Sequence, residues 1–399
     1  MNLKVKIHNL NITYNMTTAI NLNLYDKVDE NDDLELYHFN YEYEYDDSNL
    51  KLKGIVVDKN TKEIVCTTSI HNIEYDIQHI NHVPAINEID WGKSVVTISH
   101  EGCFLRVFYH NGRWYISTHR KLDANNSRWG SKYSFKDLFV DALRELYKGD
   151  DFVFDLERDF FNLLNKNLVY TFLLRNNQNN RIVCNAPSKT ESKIYYTGYF
   201  PKGNEHNYIP NLDSLEIFEN LRISQKIPVK NMTDIVQFVS HQSYKYHQGV
   251  IVFYSDTNGT GKTHIFKLMC PKYLEYKEIR NNCSNLIYRY AQLRRDNVNK
   301  EKIIELFPQF SYDFFQFENT LNKIATHVSN QYINRFLKKQ YAAVTPLQYK
   351  VTKKLREWYL EAPNKNYINS EIVWKFINNE SPLYVYKLVI EFNNVEQQT

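Results

Sequence analysis

The hydrophobic pattern of the chain changes its period near residue 285, and this change limits the folds that it can adopt. Before that position, short apolar runs such as 54–58 and 249–255 are typical of β-strands. After it, apolar residues recur at the three- and four-residue spacing of amphipathic helices. The sequence therefore predicts a mixed α+β domain over residues 51–284, followed by a mainly helical domain over residues 285–399.

Residues 1–50 differ from both of these regions. They begin with an alternating, strand-like run and then turn acidic, in DKVDENDD and EYEYDD. Such runs of charge are typical of a solvated edge, so we expect an N-terminal strand and an acidic arm. The net charge of the 399 residues is only +3, which does not by itself indicate a nucleic-acid partner.

The cysteines and the hydropathy indicate where such a chain would reside. The five cysteines form no C-x-x-C pair, and the first residues resemble a strand rather than a signal peptide. No stretch approaches the roughly 18 to 20 apolar residues of a membrane span. We therefore expect an intracellular protein with reduced cysteines and no membrane partner.

Residues 249–264, GVIVFYSDTNGTGKTH, come close to a phosphate-binding P-loop. The motif requires glycine where the chain has Asp256, and a helix directly after the lysine, whereas Pro271 follows within nine residues of Lys262. Asn258-Gly259 between two apolar runs is instead a strong hairpin signal. We therefore predict two paired strands here and no P-loop.

Other local signals complete the expected elements. Asn111-Gly112 predicts a second hairpin, and the segments 134–149 and 157–167 have helical spacing inside the β-rich region. The apolar runs 167–174 and 181–185 favour strands.

Five segments occur in an order that is known from one enzyme family. They are KGIVVDKNTKEIVC (53–66), the stretch from SHEGCFLRVFY to SRWGS (99–131), LVYTFLLRNNQNNRIVC (168–184), QGVIVFY (248–254) and FKLMCPKY (266–273). With them the chain resembles the phage-type RNA ligases, which belong to the covalent nucleotidyltransferase superfamily. It resembles especially the ligase-like proteins of giant DNA viruses.

The resemblance implies a fold and a chemistry. The fold would be a ligase nucleotidyltransferase core of mixed antiparallel β-structure with flanking helices, followed by a helical C-terminal domain. In the family, a lysine amine attacks the α-phosphate of ATP with Mg²⁺ and forms a covalent lysyl-AMP. The AMP then passes to an RNA 5′-phosphate, and a 3′-hydroxyl displaces it to seal the strand.

Several positions that carry this chemistry are altered in the present chain. Ser99 stands at the position of the nucleophilic lysine, while Glu101 and Gly102 of the same motif remain. A neutral Gln248 replaces a metal-binding glutamate, and amides are poor ligands for Mg²⁺. Lys267 of the last motif is present.

Two further family positions are also altered. Leu173 or Leu174 occupies the position of a second carboxylate, and Met269 occupies that of a second lysine. The resemblance therefore implies a ligase-like protein whose covalent chemistry has been lost.

Binding residues are predicted on the same basis. The nucleotide contacts implied by the resemblance are Lys53, His100, Arg106, Gln248 and Lys267. Cations interleaved with a stacking aromatic side chain suit RNA, and they are Arg113, His119, Arg120, Lys121, Arg128 and Trp129. A solvated face with a core tryptophan would give the same pattern in this segment. A second cluster of cations and aromatic residues lies at 288–296, and a solvated helix face would explain that pattern.

Three hypotheses stay open at this point. The first is a catalytically degenerate protein that binds RNA or a nucleotide. The second is an active ATP-dependent RNA ligase that uses a displaced lysine, Lys93 or Lys121, and therefore needs ATP and Mg²⁺. The third is a structural or interaction protein of a large DNA virus. A viral protein of any of these kinds would reside in the host cytoplasm or in the virion.

Overall fold

A computed structural model describes most of the chain. The described residues are 22–40, 54–67, 73–82, 86, 89–146, 153–175, 182–186, 192–202, 208–210, 221, 224–241, 243–255, 263–341, 344–361 and 367–396. The predicted contact Lys53 and the hairpin tip with Lys262 lie outside them.

All of the described strands lie before residue 270, with three helices among them, and the remaining helices follow from residue 271. The strands are β1 (Tyr25–Glu30), β2 (Leu34–Phe39), β3 (Gly54–Asp58), β4 (Ile64–Thr67), β5 (Ile73–Asp76), β6 (Val95–Ser99), β7 (Cys103–His110), β8 (Arg113–Ser117), β9 (Leu168–Arg175), β10 (Lys193–Pro201), β11 (Ile209–Pro210), β12 (Lys226–Ile227), β13 (Gly249–Ser255) and β14 (Thr263–Met269). The helices are α1 (Phe135–Leu146), α2 (Leu156–Asp159), α3 (Met232–His241), α4 (Pro271–Arg280), α5 (Leu286–Leu293), α6 (Asn297–Leu306), α7 (Ser311–Tyr332), α8 (Pro346–Glu361), α9 (Ser370–Asn379) and α10 (Pro382–Glu396). This arrangement confirms the predicted α+β class with a helical C-terminal region.

The first sheet joins the N-terminal region to the rest of the protein. Its strand order is β1-β2-β3-β4, and β2 pairs with β3 so that Leu36 lies opposite Val56. Both side chains are completely buried. Residues 25–39 are therefore part of a sheet that crosses the predicted boundary at residue 50, and their apolar side chains are buried with those of β3.

The second sheet has the order β11-β10-β9-β7-β8. One of its faces packs on α1 and on the short helical turns at 156–163, in a core that contains Phe139, Phe160 and Phe172. The Asn111-Gly112 hairpin is confirmed, since both residues have positive φ between β7 and β8. The predicted helix at 157–167 is shorter than expected and ends before β9 begins at Leu168.

The third sheet has the order β12-β6-β13-β14-β5, and β5 runs parallel to β14. β13 and β14 pair antiparallel in continuous register from Gly249↔Met269 to Ser255↔Thr263. The residues after the loop thus continue as a strand, and a helix begins only at Pro271. This confirms the hairpin prediction and excludes the strand-loop-helix geometry of a P-loop.

The C-terminal helices share their core with the third sheet. Val250 and Leu268 of the sheet belong to the same buried cluster as Ile324 of α7 and Val389 of α10. The apolar faces of the helices are covered in this way, and the hydrophobic core is continuous across residue 285.

Candidate functional site

Ser99, predicted to stand at the position of the nucleophile, lies at the end of β6, where the third sheet meets the second. Ser99 is completely buried, and its carbonyl accepts a hydrogen bond from the backbone N–H of Gln248 at 2.9 Å. The Ser99 hydroxyl lies 3.5 Å from Oε1 of the same glutamine. The two altered motif positions are therefore in contact with each other, as a neutral pair.

Glu101 has a structural partner. Its carboxylate accepts hydrogen bonds from the backbone N–H groups of Ile182, Val183 and Cys184 at 2.5, 2.8 and 3.1 Å. These residues were predicted as part of a strand, but 182–186 adopt bends, because this carboxylate takes the N–H groups that a sheet neighbour would have bound. Glu101 thus clamps the motif loop.

Gly102 is required by the close approach of β9. A Cβ atom on this glycine would lie 2.6 Å from the Leu174 carbonyl oxygen and 2.9 Å from the Leu173 side chain. Leu174, which together with Leu173 was predicted at the position of a second carboxylate, belongs to the core under the second sheet. Met269, predicted at the position of a second lysine, is likewise buried in the core.

Lys267 lies on the third sheet, two strands from Ser99. β6 and β14 both flank β13, which places Lys267 roughly 10 Å across the sheet from the β6 strand. Its amine lies 3.4 Å from Glu74, which also pairs with Lys277 of α4 at 3.3 Å. One carboxylate therefore pairs with two lysines.

His100, a predicted nucleotide contact, lies against a cation and a ring that the sequence did not indicate. The Arg175 guanidinium lies 3.4 Å from the His100 ring nitrogen and 5.9 Å from the centre of the Tyr195 ring. The centres of the His100 and Tyr195 rings lie 4.6 Å apart, so the two rings are in contact. Arg175 lies in the motif segment 168–184 but was not singled out, and Tyr195 lies outside all five segments. Both side chains are buried, and Arg175 also donates a hydrogen bond to the Asn185 carbonyl at 3.0 Å.

Arg106 was expected to contact the nucleotide, but the structure places it inside the protein. It is completely buried, and its guanidinium donates hydrogen bonds to Ser117 Oγ, to the Gly54 carbonyl and to the Thr118 carbonyl, at 3.1, 3.1 and 2.6 Å. The alternation of β7 turns this side chain towards the first sheet. Arg106 therefore links two sheets and is removed from the candidate ligand contacts.

The cations of the predicted RNA segment are largely paired with the N-terminal hairpin. Lys121 forms an ion pair with Asp29 at 3.1 Å, and Arg113 forms one with Asp33 at 3.3 Å. His119 stacks on Phe104 at 5.6 Å with nearly parallel rings. The acidic residues expected in a solvated arm thus neutralise part of the basic segment.

The remaining residues of that segment differ in their surroundings. Trp129 donates a hydrogen bond to Asn282 at 3.1 Å, and the Arg280 guanidinium lies 4.8 Å from the centre of its ring. Arg120 and Arg128 are exposed. Trp129 therefore connects the segment to the end of α4, and Arg120 is its clearest exposed cation.

The second basic cluster, at 288–296, serves the packing of helices. Arg294 forms an ion pair with Glu318 at 2.7 Å, and Arg289 donates hydrogen bonds to the carbonyl groups that end α4. The two candidate substitute nucleophiles are also paired: Lys93 contacts Asp90 at 3.3 Å and Lys121 contacts Asp29. Neither lysine is in contact with Ser99.

The described part of the chain lacks a metal-binding cluster and a membrane-spanning helix. It contains no group of three or more His, Cys, Asp or Glu side chains that could hold a metal ion. None of its helices combines the length and the apolar character that crossing a bilayer requires.

The relatives of the chain are proteins of iridoviruses. It is 29% identical over 299 residues to the immediate-early protein ICP-46 homolog of Invertebrate iridescent virus 3, which covers 71% of this chain and 60% of that protein. The homolog of Invertebrate iridescent virus 6 is 28% identical over 323 residues, with coverage of 76% and 68%. The ICP-46 protein of Frog virus 3 is 27% identical over 223 residues and covers 54% of each chain. The present chain therefore spans only part of the length of these relatives, and no family model matches it.

Solved structures that are similar to this chain include nucleic-acid ligases. An archaeal ATP-dependent RNA ligase covers 69% of this chain and 64% of its own, with 11% identity and a TM-score of 0.40. A putative ATP-dependent DNA ligase from Aquifex aeolicus covers 86% of both chains, with 14% identity and a TM-score of 0.40. A Naegleria gruberi RNA ligase mutant with ATP and Mn covers 52% and 57%, with 13% identity and a TM-score of 0.36. These are ligases of the kind that the motif order resembles, and at these TM-scores the likeness carries no argument about chemistry.

Proposed function

We propose that this protein is an RNA ligase-like protein that binds a nucleotide and nucleic acid without forming a covalent lysyl-nucleotide. The observation that carries the proposal is the contact between Ser99 and Gln248. A phosphoramidate requires an amine with a depressed pKa as the nucleophile, and a buried hydroxyl paired with an amide cannot supply one.

The donor set next to Ser99 does not fit a catalytic Mg²⁺ ion. Magnesium prefers carboxylate oxygens, whereas Gln248 is neutral and both Glu101 oxygens already accept backbone hydrogen bonds. We therefore derive no metal-dependent step for these residues. ATP and Mg²⁺ would be cofactors only if the protein were active.

Non-covalent binding of a nucleotide is supported by the groups that remain. His100, Arg175 and Tyr195 form a cation and ring cluster beside Ser99, and Lys267 adds a second cation on the third sheet. Rings can stack on a base and cations can bind phosphates. Gln248 can offer its amide to the same ligand.

Calorimetric titration with ATP tests this part of the proposal, and the chain offers a matched pair of variants. Lys267→Ala and Lys277→Ala each remove one of the two lysines that share Glu74, but only Lys267 lies on the third sheet. We expect reversible binding that weakens about tenfold in Lys267→Ala and stays within about twofold in Lys277→Ala, since a charge-assisted phosphate contact contributes roughly 1.4 kcal/mol. Equal losses in both variants would contradict a site at Lys267.

Nucleic-acid binding at the predicted segment is tested with Arg120→Ala. This side chain is exposed, so its removal leaves the fold intact. Trp129→Ala is the weaker test, because that ring also packs against Arg280. A wild-type protein that binds neither ATP nor RNA would favour the alternative of a structural or interaction protein, for which the iridovirus relatives leave room.

A further inference from the structure

The long helix α7 ends in an irregular turn that takes no part in the contacts around Ser99. Residues Ile333–Leu337 form a π-helical turn, closed by a hydrogen bond from the Lys338 amide to the Ile333 carbonyl at 2.9 Å. Lys339 then adopts a left-handed conformation with φ of 57°, which costs a residue other than glycine on the order of 1 kcal/mol. π-turns and strained residues are concentrated at functional sites in proteins.

The turn places one arginine between two tyrosine rings. The Arg335 guanidinium lies 4.8 Å from the centre of the Tyr349 ring and 5.2 Å from that of Tyr341. Tyr341 is 73% exposed and Tyr349 is 44% exposed. Among the described side chains Arg335 has no carboxylate partner, so its N–H groups remain available to an anion.

A partly open cleft lies beside this arginine. It is lined by Gln331, Asn334, Arg335, Gln340, Val344, Tyr349 and Thr352. The Gln331 amide is hydrogen-bonded to neighbouring side chains, whereas the amides of Asn334 and Gln340 have no side-chain hydrogen bond within the described ranges. Free amides next to exposed rings can pair with the edge of an unstacked base.

The charge of this region is opposite to that of the rest of the chain. Residues 319–356 contain eight of the 49 Lys and Arg residues and no Asp or Glu, which leaves 41 basic against 46 acidic residues elsewhere. Lys338, Lys339 and Lys350 are exposed, and none of them has an acidic partner in the part of the chain that the structure describes. Lys353 and Lys354 pair with Glu357 and Glu380. Such a surface is complementary to a polyanion.

We propose that this C-terminal basic surface, made of Arg335, Lys338, Lys339, Tyr341, Tyr349 and Lys350, binds single-stranded nucleic acid. The cations contact consecutive phosphates, and an unpaired base stacks on Tyr341 or Tyr349 beside the amide-lined cleft. The inference deepens the proposed function by naming a second site, and it rests on that function only for the choice of a nucleic-acid ligand.

The charge contribution is measured by fluorescence anisotropy with labelled oligouridylate, the matching oligodeoxythymidylate and a duplex. The test variant is Arg335→Gln/Lys338→Gln/Lys339→Gln. The control variant Lys93→Gln/Lys300→Gln/Lys375→Gln removes the same charge from other regions. We expect the slope of log K against log salt to become shallower by about 2 in the test variant, at roughly 0.7 per cation for single strands. An equal change in the control, or tighter binding of the duplex, would overturn the proposal.

The stacking contribution has its own matched pair. Tyr341→Ala should weaken single-strand binding about tenfold with an unchanged salt slope, whereas Tyr312→Ala, 70% exposed on α7, should leave it unchanged. Loss with both RNA and DNA indicates recognition of any single strand, and loss with RNA alone adds the 2′-hydroxyl; both support the proposal. Binding of anionic vesicles in place of either strand would identify a membrane surface and overturn it.

The two proposed sites fail in distinguishable ways. ATP titration of the triple variant should match that of the wild type, because the C-terminal basic surface does not include the residues around Ser99. Unchanged melting temperatures of the variants confirm that a loss of binding is not a loss of folding.

Discussion

Two regions of the molecule carry the same mixture of cations and aromatic rings, but the cations have different neighbours. Between residues 106 and 129, Arg106 is buried against backbone carbonyls, while Arg113 and Lys121 pair with Asp33 and Asp29. On the C-terminal basic surface, Arg335 lies between two tyrosine rings, and the nearby sequence contains no acidic residue. We therefore expect the pairing of the cations, rather than their number, to decide how strongly each region binds a polyanion.

The two regions should differ most in the loss of stability that follows when one arginine of each is replaced. Arg106→Met should lower the free energy of unfolding by about 3 kcal/mol, because the buried Gly54 and Thr118 carbonyls lose charge-assisted hydrogen bonds. Arg335→Met should change it by less than about 1 kcal/mol, because this half-buried side chain loses only its contacts with two tyrosine rings. Urea unfolding of both variants measures the difference, and similar values for the two would show that Arg106 has no structural role.

Lowering the pH should destabilise the contact between Asp58 and His110 of the first region, and it should leave the C-terminal basic surface unchanged. Backbone hydrogen bonds from Thr61 and Asn60, and then the contact with His110, hold the pKa of Asp58 below its ordinary value. Because the folded pKa is depressed, this stabilisation is present above about pH 4 and is lost as the pH falls through the folded value. Asp58→Asn should therefore flatten the fall in melting temperature between pH 5 and 3.

The contrasting outcome for that experiment is an unchanged pH profile in Asp58→Asn. Such a profile would mean that other carboxylates anchor the first sheet at acid pH. The C-terminal basic surface has no carboxylate that must stay ionised, so single-strand binding should not weaken as long as the protein remains folded.

The smallest expected effect comes from releasing a paired cation. Asp33→Asn frees Arg113 from its ion pair, and exposed pairs contribute only about 0.2 to 1 kcal/mol. RNA affinity should therefore rise by less than about fivefold at low salt. An increase well beyond this in an anisotropy titration would make the segment around Arg113 the main binding site and reverse the comparison.

Much of the fold could be predicted from local patterns. The strands at 54–58, 103–110 and 249–255 and the helices after residue 285 have strong periodicity, and the structure contains them. The Asn-Gly turn and Pro271 were sufficient to distinguish the hairpin from a P-loop. These features depend on neighbours in sequence, which a pattern can show.

The features that escaped prediction depend on contacts across the chain. Residues 182–184 look like a strand, but Glu101 takes their N–H groups from about 80 residues away. Arg106 looks like a ligand contact, but the neighbouring sheet encloses it. The surface at Arg335 gave no motif, because it is built from the end of one helix and the face of another. The motif order predicted where Ser99 and Gln248 would lie, and their mutual contact required the structure.

The proposal that the protein forms no covalent nucleotide adduct is tested most directly by intact-mass spectrometry. The protein is incubated with ATP and either Mg²⁺ or Mn²⁺, denatured and weighed, with Ser99→Lys measured in parallel. We expect the mass of the wild-type protein to stay unchanged. A wild-type protein that gains the mass of AMP on a lysine would contradict it and establish an active nucleotidyltransferase with a displaced nucleophile.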